Sequence, residues 1–234
     1  MMNGVILEIA LAAIAAILAI TLHEAAHGFA AWGLGDDTAK LQGRLSLNPL
    51  RHVDRVGTII LPGVLLIGQL ITLGHIGFMF GWAKPVPVAA WRFRHPRQGM
   101  ALVAAAGPAM NFFLAWIGAL CGWLLPHVSP QMMAPAATFI QDFILANIVL
   151  GLFNLLPIPP LDGGRIMVGI LPLPLAAAWA RMERAGIAVV LLVIFILPLA
   201  ARQAGYNFDP IREILNRIVP WAMRLVFNLA GQSV

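Results

Sequence analysis

Two histidines near the end of the first apolar run give the strongest chemical signal in this sequence. His23 and His27 are four residues apart in the stretch HEAAH, and Glu24 follows His23 directly. On a helix, residues with this spacing lie one turn above each other on the same face. Two imidazoles so placed bind one zinc ion at about 2.0–2.1 Å each, and the glutamate can reach a water on the same metal. The spacing predicts a zinc site with Glu24 as its general base.

A third protein ligand is expected, because a catalytic zinc usually takes three and keeps one position open for water. Among the acidic residues, Asp162 is distinguished by its surroundings. It follows three prolines and precedes two glycines in the stretch NLLPIPPLDGG, where regular helix is ruled out. Broken backbone beside a membrane helix is tolerated where it is buried in protein or lines a wet cavity. We expect Asp162 to face such a cavity; the alternative ligands are His52, His75, His95 and His127.

The composition is that of an integral membrane protein. The chain is 60% hydrophobic and only 11% charged, with a mean hydropathy of +0.86, whereas a soluble domain carries about 25% charged residues. The net charge of +5 does not indicate nucleic acid, because the basic residues gather in short loops between apolar runs, as the positive-inside rule predicts. Cys121 is the one cysteine, which excludes an internal disulfide framework and a zinc cluster of cysteines.

Apolar runs indicate the membrane helices that position these residues. Val5 to Trp32, Met100 to Leu125 and Ala136 to Leu156 are long enough to cross a hydrocarbon core of about 30 Å, and Ala185 to Ala201 is a shorter span. The stretch Asp209 to Ala230 is a helix that either lies in the interface or crosses. We predict an all-α polytopic bundle of about 4–6 transmembrane helices.

The chain is expected to form one integral-membrane domain over residues 1–234, with a catalytic core at about 5–165 and C-terminal helices at about 185–230. The N-terminal region contains Glu8 and no basic segment, so we expect no cleaved signal peptide and a first run that remains as a helix. We expect no apolar span before this helix and no additional regulatory domain.

The apolar segment Gly57 to Phe80 is predicted to be re-entrant. It contains several helix breakers, and basic residues lie on both sides of it, which places both flanking loops in the cytoplasm. Two full crossings would need about 40 residues. We therefore predict a segment that enters and leaves by the cytoplasmic face and turns near Gly68 and Gln69.

Short membrane-associated β elements are predicted on the cytoplasmic side. Leu41 to Pro49 alternates apolar and polar residues over its second half. In Gly81 to Val88, Pro85 and Pro87 both lack an N–H and fall on the same side of an extended chain. A polyproline-like linker is an equally good interpretation of this second segment.

Three motifs together resemble the site-2 proteases, which are intramembrane zinc metalloproteases. They are HEAAH at 23–27, GPAMN at 107–111 and NLLPIPPLDGG at 154–164, and their order and spacing fit the family's HExxH, GPxxN and NxxPxPxLDGG. The resemblance implies that Asp162 is the third zinc ligand and that Asn154 lies in the site and binds substrate backbone. It also implies one zinc facing the cytoplasm, a bacterial or archaeal cell membrane, and sheet-forming segments that receive substrate.

The chemistry of such a site predicts how substrate is cleaved. Zinc acidifies a water and polarises the scissile carbonyl, and Glu24 moves the proton to the leaving nitrogen. Asn154 is a candidate for stabilising the oxyanion, with a helix-packing hydrogen bond as its alternative role. A helical peptide must be unwound first, and strand addition to an edge would hold it extended. The candidate substrate-binding residues are Lys84, Pro85, Val86, Asn111 and Asn154.

Two other functions use the same residues. A polytopic zinc or metal transporter also carries histidine and aspartate ligands on broken helices, but it needs no glutamate beside a bound water. A catalytically silent membrane scaffold would have lost at least one of the four residues expected to carry the chemistry, which are His23, Glu24, His27 and Asp162. The expected partners are the lipid bilayer and a membrane-protein substrate with a transmembrane helix.

Overall fold

Helices make up most of the chain. The computed structural model describes residues 2–73, 81–206 and 208–232. The α-helices are α1 Met2–Gly33, α2 Thr38–Leu41, α3 Leu61–Leu73, α4 Pro96–Cys121, α5 Pro130–Asn154, α6 Asp162–Ile170, α7 Leu173–Met182, α8 Gly186–Leu191, α9 Leu197–Gln203 and α10 Pro210–Leu229. Four 3-10 turns (Pro49–Arg51, Ala90–Arg92, Gly122–His127 and Glu183–Ala185) and two π-helical turns (Arg55–Ile60 and Leu192–Ile196) lie between them.

Three helices in the described residues are long and apolar enough to cross a membrane. They span Gly4–Gly33, Pro96–His127 and Pro130–Asn154, and they confirm the first three predicted runs as helices. The predicted shorter span near Ala185 to Ala201 is divided among α8, a π-helical turn and α9. The all-α class is therefore correct, whereas the predicted number of crossings exceeds the three helices that meet the length requirement.

The first two spanning helices run antiparallel. His27 near the end of α1 bonds to Val103 near the start of α4, and Ala19, two turns earlier on α1, bonds to Asn111, two turns later on α4. The end of α1 and the start of α4 therefore lie at one end of the bundle. At that end, Ala31 packs with Phe93 in a small apolar cluster.

The third spanning helix is antiparallel to α4 and thus parallel to α1. Gly151 late in α5 faces Asn111, whereas Ile144 earlier in α5 faces Gly118. Because of this direction, the C-terminal ends of α1 and α5 lie at the same end of the bundle. The apolar core lies between α4, α5 and the amphipathic α10; its buried members are Ala115, Ala119, Ile144, Ile148, Ala222, Val226 and Ala230.

The predicted turn at Gly68 and Gln69 is wrong. Both residues lie inside α3, and the Gln69 side-chain amide donates to the Leu65 carbonyl of the preceding turn at 3.1 Å. Pro62 is near the start of that helix, and each interior glycine costs only about 1 kcal/mol, so the apolar run continues as helix. Residues 74–80, the rest of the predicted re-entrant segment, lie outside the described residues.

The predicted β elements are absent from the described residues. Leu41 ends α2, and the residues between Gly43 and Asn48 have no regular structure. In the second segment, the Lys84 N–H donates to the His52 carbonyl at 2.8 Å, whereas the Val86 N–H donates to a side chain. These segments bond largely to side chains, and no neighbouring strand completes a ladder among the described residues.

Candidate metal centre

The histidine pair lies on the face of α1 that packs against α4. The two Nε2 atoms are 3.1 Å apart, and the two imidazole rings are almost perpendicular, at 88°. His23 is buried, and His27 is largely so. The one-turn spacing thus directs two nitrogen ligands at one point, as the sequence predicted.

Hydrogen bonds at the opposite ring nitrogen fix the tautomer of each histidine. The Nδ1–H of His27 donates to the Val103 carbonyl at 2.7 Å, and a carbonyl can only accept. The amide of Asn111 donates through Nδ2 to the Ala19 carbonyl at 3.3 Å and to Asn147 Oδ1 at 2.9 Å. Its Oδ1 therefore faces His23 and accepts from Nδ1 at 2.6 Å. Both neutral imidazoles consequently present a lone pair on Nε2, as metal-binding histidines do.

Asp162 completes the group from the segment that follows α5, at the same end of the bundle as the two histidines. Its Oδ2 lies 3.1 Å from His23 Nε2 and 3.3 Å from His27 Nε2. It is the first residue of α6, which packs against α4 and whose first turn lies close to Leu155, the residue after α5. The close approach of the first turn of α6 to Leu155 requires glycine at position 163, because a Cβ on Gly163 would lie 2.3 Å from the Leu155 carbonyl oxygen. The two glycines after the aspartate therefore bring its carboxylate to the histidines.

The three ligand atoms fit a zinc ion. Two lone-pair nitrogens and a carboxylate oxygen converge at 3.1, 3.1 and 3.3 Å, while tetrahedral ligands at about 2.0–2.2 Å from zinc are about 3.3–3.6 Å apart. Asp162 Oδ2 is buried and has no hydrogen-bond donor among the described residues. Three acceptors at this distance repel one another unless a cation lies between them. Within the described chain, this is the one group of three or more such residues that could hold a metal.

Gly107 lets α4 come within contact of both imidazoles. A Cβ at this position would lie 2.5 Å from Cε1 of His23 and 2.5 Å from Cε1 of His27. Gly107 also lies between Val103 and Asn111, which hold the two rings. The glycine of the GPAMN motif is thus the contact between α4 and the metal ligands.

Glu24 lies beside the metal group without joining it. Its carboxylate is half-buried, and Oε2 accepts a hydrogen bond from the Val86 N–H at 3.2 Å. The group that could hold a metal contains His23, His27 and Asp162 but not Glu24. This position suits a base that acts on water rather than a fourth protein ligand.

Of the predicted substrate-binding residues, Asn111 is placed behind the site. It is fully buried, and its amide is engaged with His23, Ala19 and Asn147, so it has no surface to offer a peptide. Asn111 thus has the partners inside the bundle that a buried polar residue requires, and these contacts do not support the predicted substrate-binding role, which stays a prediction. Asn154 is half-buried at the end of α5, where its Nδ2 donates to the carbonyl one turn earlier.

The segment with Lys84, Pro85 and Val86 lies next to Glu24. Lys84 and Pro85 are exposed, whereas Val86 is buried. The other histidines that the structure describes do not join the metal group: His95 and His127 are exposed, and His52 donates through Nε2 to the Ser46 carbonyl. His75, the remaining alternative ligand, lies outside the described residues.

Sequence reasoning missed three polar residues around the site. Asn147 supports Asn111, Asp36 accepts from the Ala89 N–H at 2.6 Å, and Arg44 donates to the carbonyls of Lys84 and Pro85. For Asn147 a signal existed, since a polar residue inside a membrane helix must find a partner. For the other two, the pairing depends on where the chain returns after α3.

Comparison with known proteins places the chain among peptidases by sequence. Residues 127–197, which include Asp162, match Peptidase family M50. The chain is 42% identical over 189 residues to YwhC of Bacillus subtilis, covering 79% of this chain and 80% of that protein. It is 31% identical over 182 residues to Rip2 of Mycobacterium tuberculosis, covering 78% of this chain and 65% of that protein. Both relatives are named as candidate zinc metalloproteases. No solved structure matches the chain.

Proposed function

Because this chain belongs to peptidase family M50, we infer that it is an intramembrane zinc metalloprotease. The observation that carries the inference is the convergence of His23, His27 and Asp162 on one point, with Glu24 beside them. Two of these ligands lie on a helix long and apolar enough to cross a membrane. Family membership does not favour the transporter or the silent scaffold.

Each residue of the site then has a defined task. His23, His27 and Asp162 would hold one zinc per chain, which supplies a Lewis acid that acidifies water and polarises the scissile carbonyl. The Val86 N–H fixes Oε2 of Glu24, which leaves Oε1 to accept the proton of the attacking water. Glu24 then delivers that proton to the leaving amide nitrogen. Asn154, at the end of α5, is proposed to stabilise the oxyanion or bind substrate backbone.

The direct test of this function is Glu24→Gln in the purified protein. The variant keeps the shape of the side chain but cannot accept a proton at neutral pH. It should retain about one zinc per chain, as three ligands remain, and should lose cleavage of a reporter with a single transmembrane helix. Loss of zinc from the variant, or cleavage near the wild-type rate, would show that Glu24 does not have this role.

We propose that substrate reaches the site as an unwound segment of a transmembrane helix. The exposed Lys84 and Pro85 are adjacent to Glu24 through Val86, so the segment Gly81 to Val88 is the proposed contact. The N–H groups of Lys84 and Val86 and the carbonyls of Lys84 and Pro85 are already bonded within the protein. Strand addition would therefore use the later part of this segment.

We propose that Gly57 to Phe80 is re-entrant from the cytoplasmic face. In support, the Trp82 N–H donates to the Gly57 carbonyl at 3.2 Å, so the segment begins and ends at one place. The connection from α1 to α4 also begins and ends at one end of the bundle, where Arg92 pairs with Asp37. This end carries the metal group and the basic loops, which belong in the cytoplasm by the positive-inside rule.

Cysteine accessibility tests this topology. In a Cys121→Ala background, single cysteines replacing Asp37 and Gln98 should react with an impermeant reagent from the same side of the membrane. Labelling of the two positions from opposite sides would rule out the re-entrant topology. The proposed setting is a bacterial or archaeal cell membrane, with the lipid bilayer and a membrane-protein substrate as partners.

A further inference from the structure

A buried guanidinium without a counter-ion lies close to the proposed general base. Arg44 is only 8% exposed, and its NH2 group donates to the carbonyl of Lys84 at 2.6 Å and to that of Pro85 at 3.4 Å. Its NH1 group donates to the Arg51 carbonyl. Among the described residues, no carboxylate is within ion-pair distance of Arg44, and its Nε has no hydrogen-bond acceptor. A buried charge bonded only to carbonyls costs folding free energy, which suggests that Arg44 has a role other than stabilising the fold.

Two charged side chains, Glu24 and Arg51, act on the Arg44 guanidinium. Burial lowers the pKa of the Arg44 guanidinium, the negative charge of Glu24 raises it, and the positive charge of Arg51 lowers it further. The charge of Glu24 therefore favours the Arg44 cation, but burial and Arg51 outweigh it and the pKa of Arg44 is lowered overall.

The segment that Arg44 holds is the one that binds Glu24. Val86 follows the two bonded carbonyls directly, and its N–H donates to Oε2 of Glu24. Pro85 and Pro87 have no N–H, so Val86 supplies the only backbone donor between Lys84 and Val88. The Val86 side chain packs over the catalytic helix, since a Cβ on Gly28 would lie 3.3 Å from its Cγ1.

We propose that Arg44 is a positioning residue for the general base. Its fork of donors fixes the carbonyls of Lys84 and Pro85 so that the next N–H, that of Val86, orients the Glu24 carboxylate. The hydrogen bonds from Arg44 to the two carbonyls and from Val86 to Glu24 are seen in the structure. Their importance for catalysis rests on the proposed function of Glu24. A lysine would restore the charge but not the fork, because an ammonium is a point donor.

Hydrogen exchange tests the geometry without requiring activity. Because Pro85 and Pro87 have no N–H, residues 84–88 contribute only the amides of Lys84, Val86 and Val88 to a longer peptide that begins before Lys84. In Arg44→Met, exchange of this peptide should become about tenfold faster or more, as local opening releases the bonded amides. The matched control is Arg55→Met, which removes an exposed arginine elsewhere in the connection between α1 and α4. Unchanged exchange in Arg44→Met would overturn the proposal.

Kinetics test whether the geometry acts through Glu24. Arg44→Met should lower kcat by about 10- to 100-fold, the effect of a misplaced catalytic group, with KM within about twofold and zinc content unchanged. Arg44→Lys should not restore kcat. Val86→Pro removes the N–H donor and should lower kcat further than Val86→Ala, which removes the same buried side chain but keeps the donor.

The double variant Arg44→Met with Val86→Pro tests whether Arg44 affects catalysis only through the Val86 N–H or also independently of it. If Arg44 acts through the Val86 N–H, the double variant should be no slower than the slower single variant. Fully additive losses, or a wild-type kcat in Arg44→Met, would overturn the proposal. If the wild-type protein cleaves no reporter, the proposed function falls, and the exchange experiment still decides whether Arg44 holds the Val86 amide.

Discussion

Replacing Gly107 by alanine should weaken zinc binding, because the new methyl group would press on both histidine rings from the α4 side. The new Cβ would lie 2.5 Å from Cε1 of each histidine, whereas ordinary contact begins at 3.4 Å. The difference of 3.4 − 2.5, about 0.9 Å, must be taken up by the rings or by α4. The rings cannot turn away freely, because their Nδ1 atoms are held by Asn111 and Val103 on the same helix at 2.6 and 2.7 Å.

Movement of α4 by this amount would break the bonds that fix the tautomers. A bond of 2.6 Å lengthened by about 0.9 Å becomes about 3.5 Å, which is beyond hydrogen-bonding distance. Loss of the partner behind a metal-binding histidine typically costs 10- to 100-fold in metal affinity. We therefore expect Gly107→Ala to bind zinc about 10- to 100-fold more weakly, and to lose activity accordingly, although alanine is the better helix former.

The assay is a zinc titration of the purified protein against a competing chelator, with Gly118→Ala as the matched control. Gly118 lies on the same helix, and there a Cβ would lie 2.8 Å from the flexible side chain of Ile144. The control should bind zinc with wild-type affinity even if its thermal stability changes. Wild-type zinc affinity in Gly107→Ala would refute the reasoning from the close approach.

Three further predictions concern the ligands and their surroundings. Asp162→Ala should lower zinc affinity by more than the roughly 100-fold cost of losing a hydrogen-bond partner behind a ligand histidine. His95→Ala, at an exposed position, should leave the zinc content normal. Zinc-depleted His95→Ala with zinc-replete Asp162→Ala would exclude Asp162 as a ligand. Asn147→Ala should destabilise the protein by about 1–3 kcal/mol, because the buried Asn111 amide loses an acceptor; an unchanged thermal midpoint would contradict this. Burial acts to raise the pKa of Asp36, but hydrogen bonds from Thr38 and Ala89 and the charge of Arg92 lower it overall, so its stabilisation is present above the unfolded value of about 3.9 and is lost as the pH falls below it. Thermal midpoints from pH 6 to pH 3 should therefore decline less steeply in Asp36→Asn than in the wild type; parallel curves would argue against this role.

The sequence singled out the three residues that the structure brings together. His23 and His27 needed only the helical repeat, whereas Asp162 was distinguished by the broken backbone around it and was implied as a ligand by the family resemblance. These signals depend on residues close in sequence. The antiparallel packing of α1 and α4 presents Asn111 to His23, although the two residues are 88 positions apart in the chain. A polar residue in a membrane helix is expected to find a partner inside the bundle, but the sequence does not indicate that this partner is His23.

The errors between α1 and α4 have a physical origin as well. Gly68 and Gln69 were interpreted as a turn, but an apolar helix outweighs the modest cost of one glycine. The alternation in Leu41 to Pro49 suggested a strand, yet a strand requires a partner whose position the sequence does not contain. Arg44 looked like an ordinary basic loop residue, since its buried position depends on the return of the chain at Lys84.

The order of the ligands along the chain has a consequence for how the protein is made. His23 and His27 are synthesised first, and Asp162 follows 162 − 27, that is 135, residues later. A nascent chain that ends before α6 carries two of the three proposed protein ligands. The proposed zinc site can therefore be completed only after α6 has been synthesised, and zinc-dependent cleavage by the protease cannot precede that point.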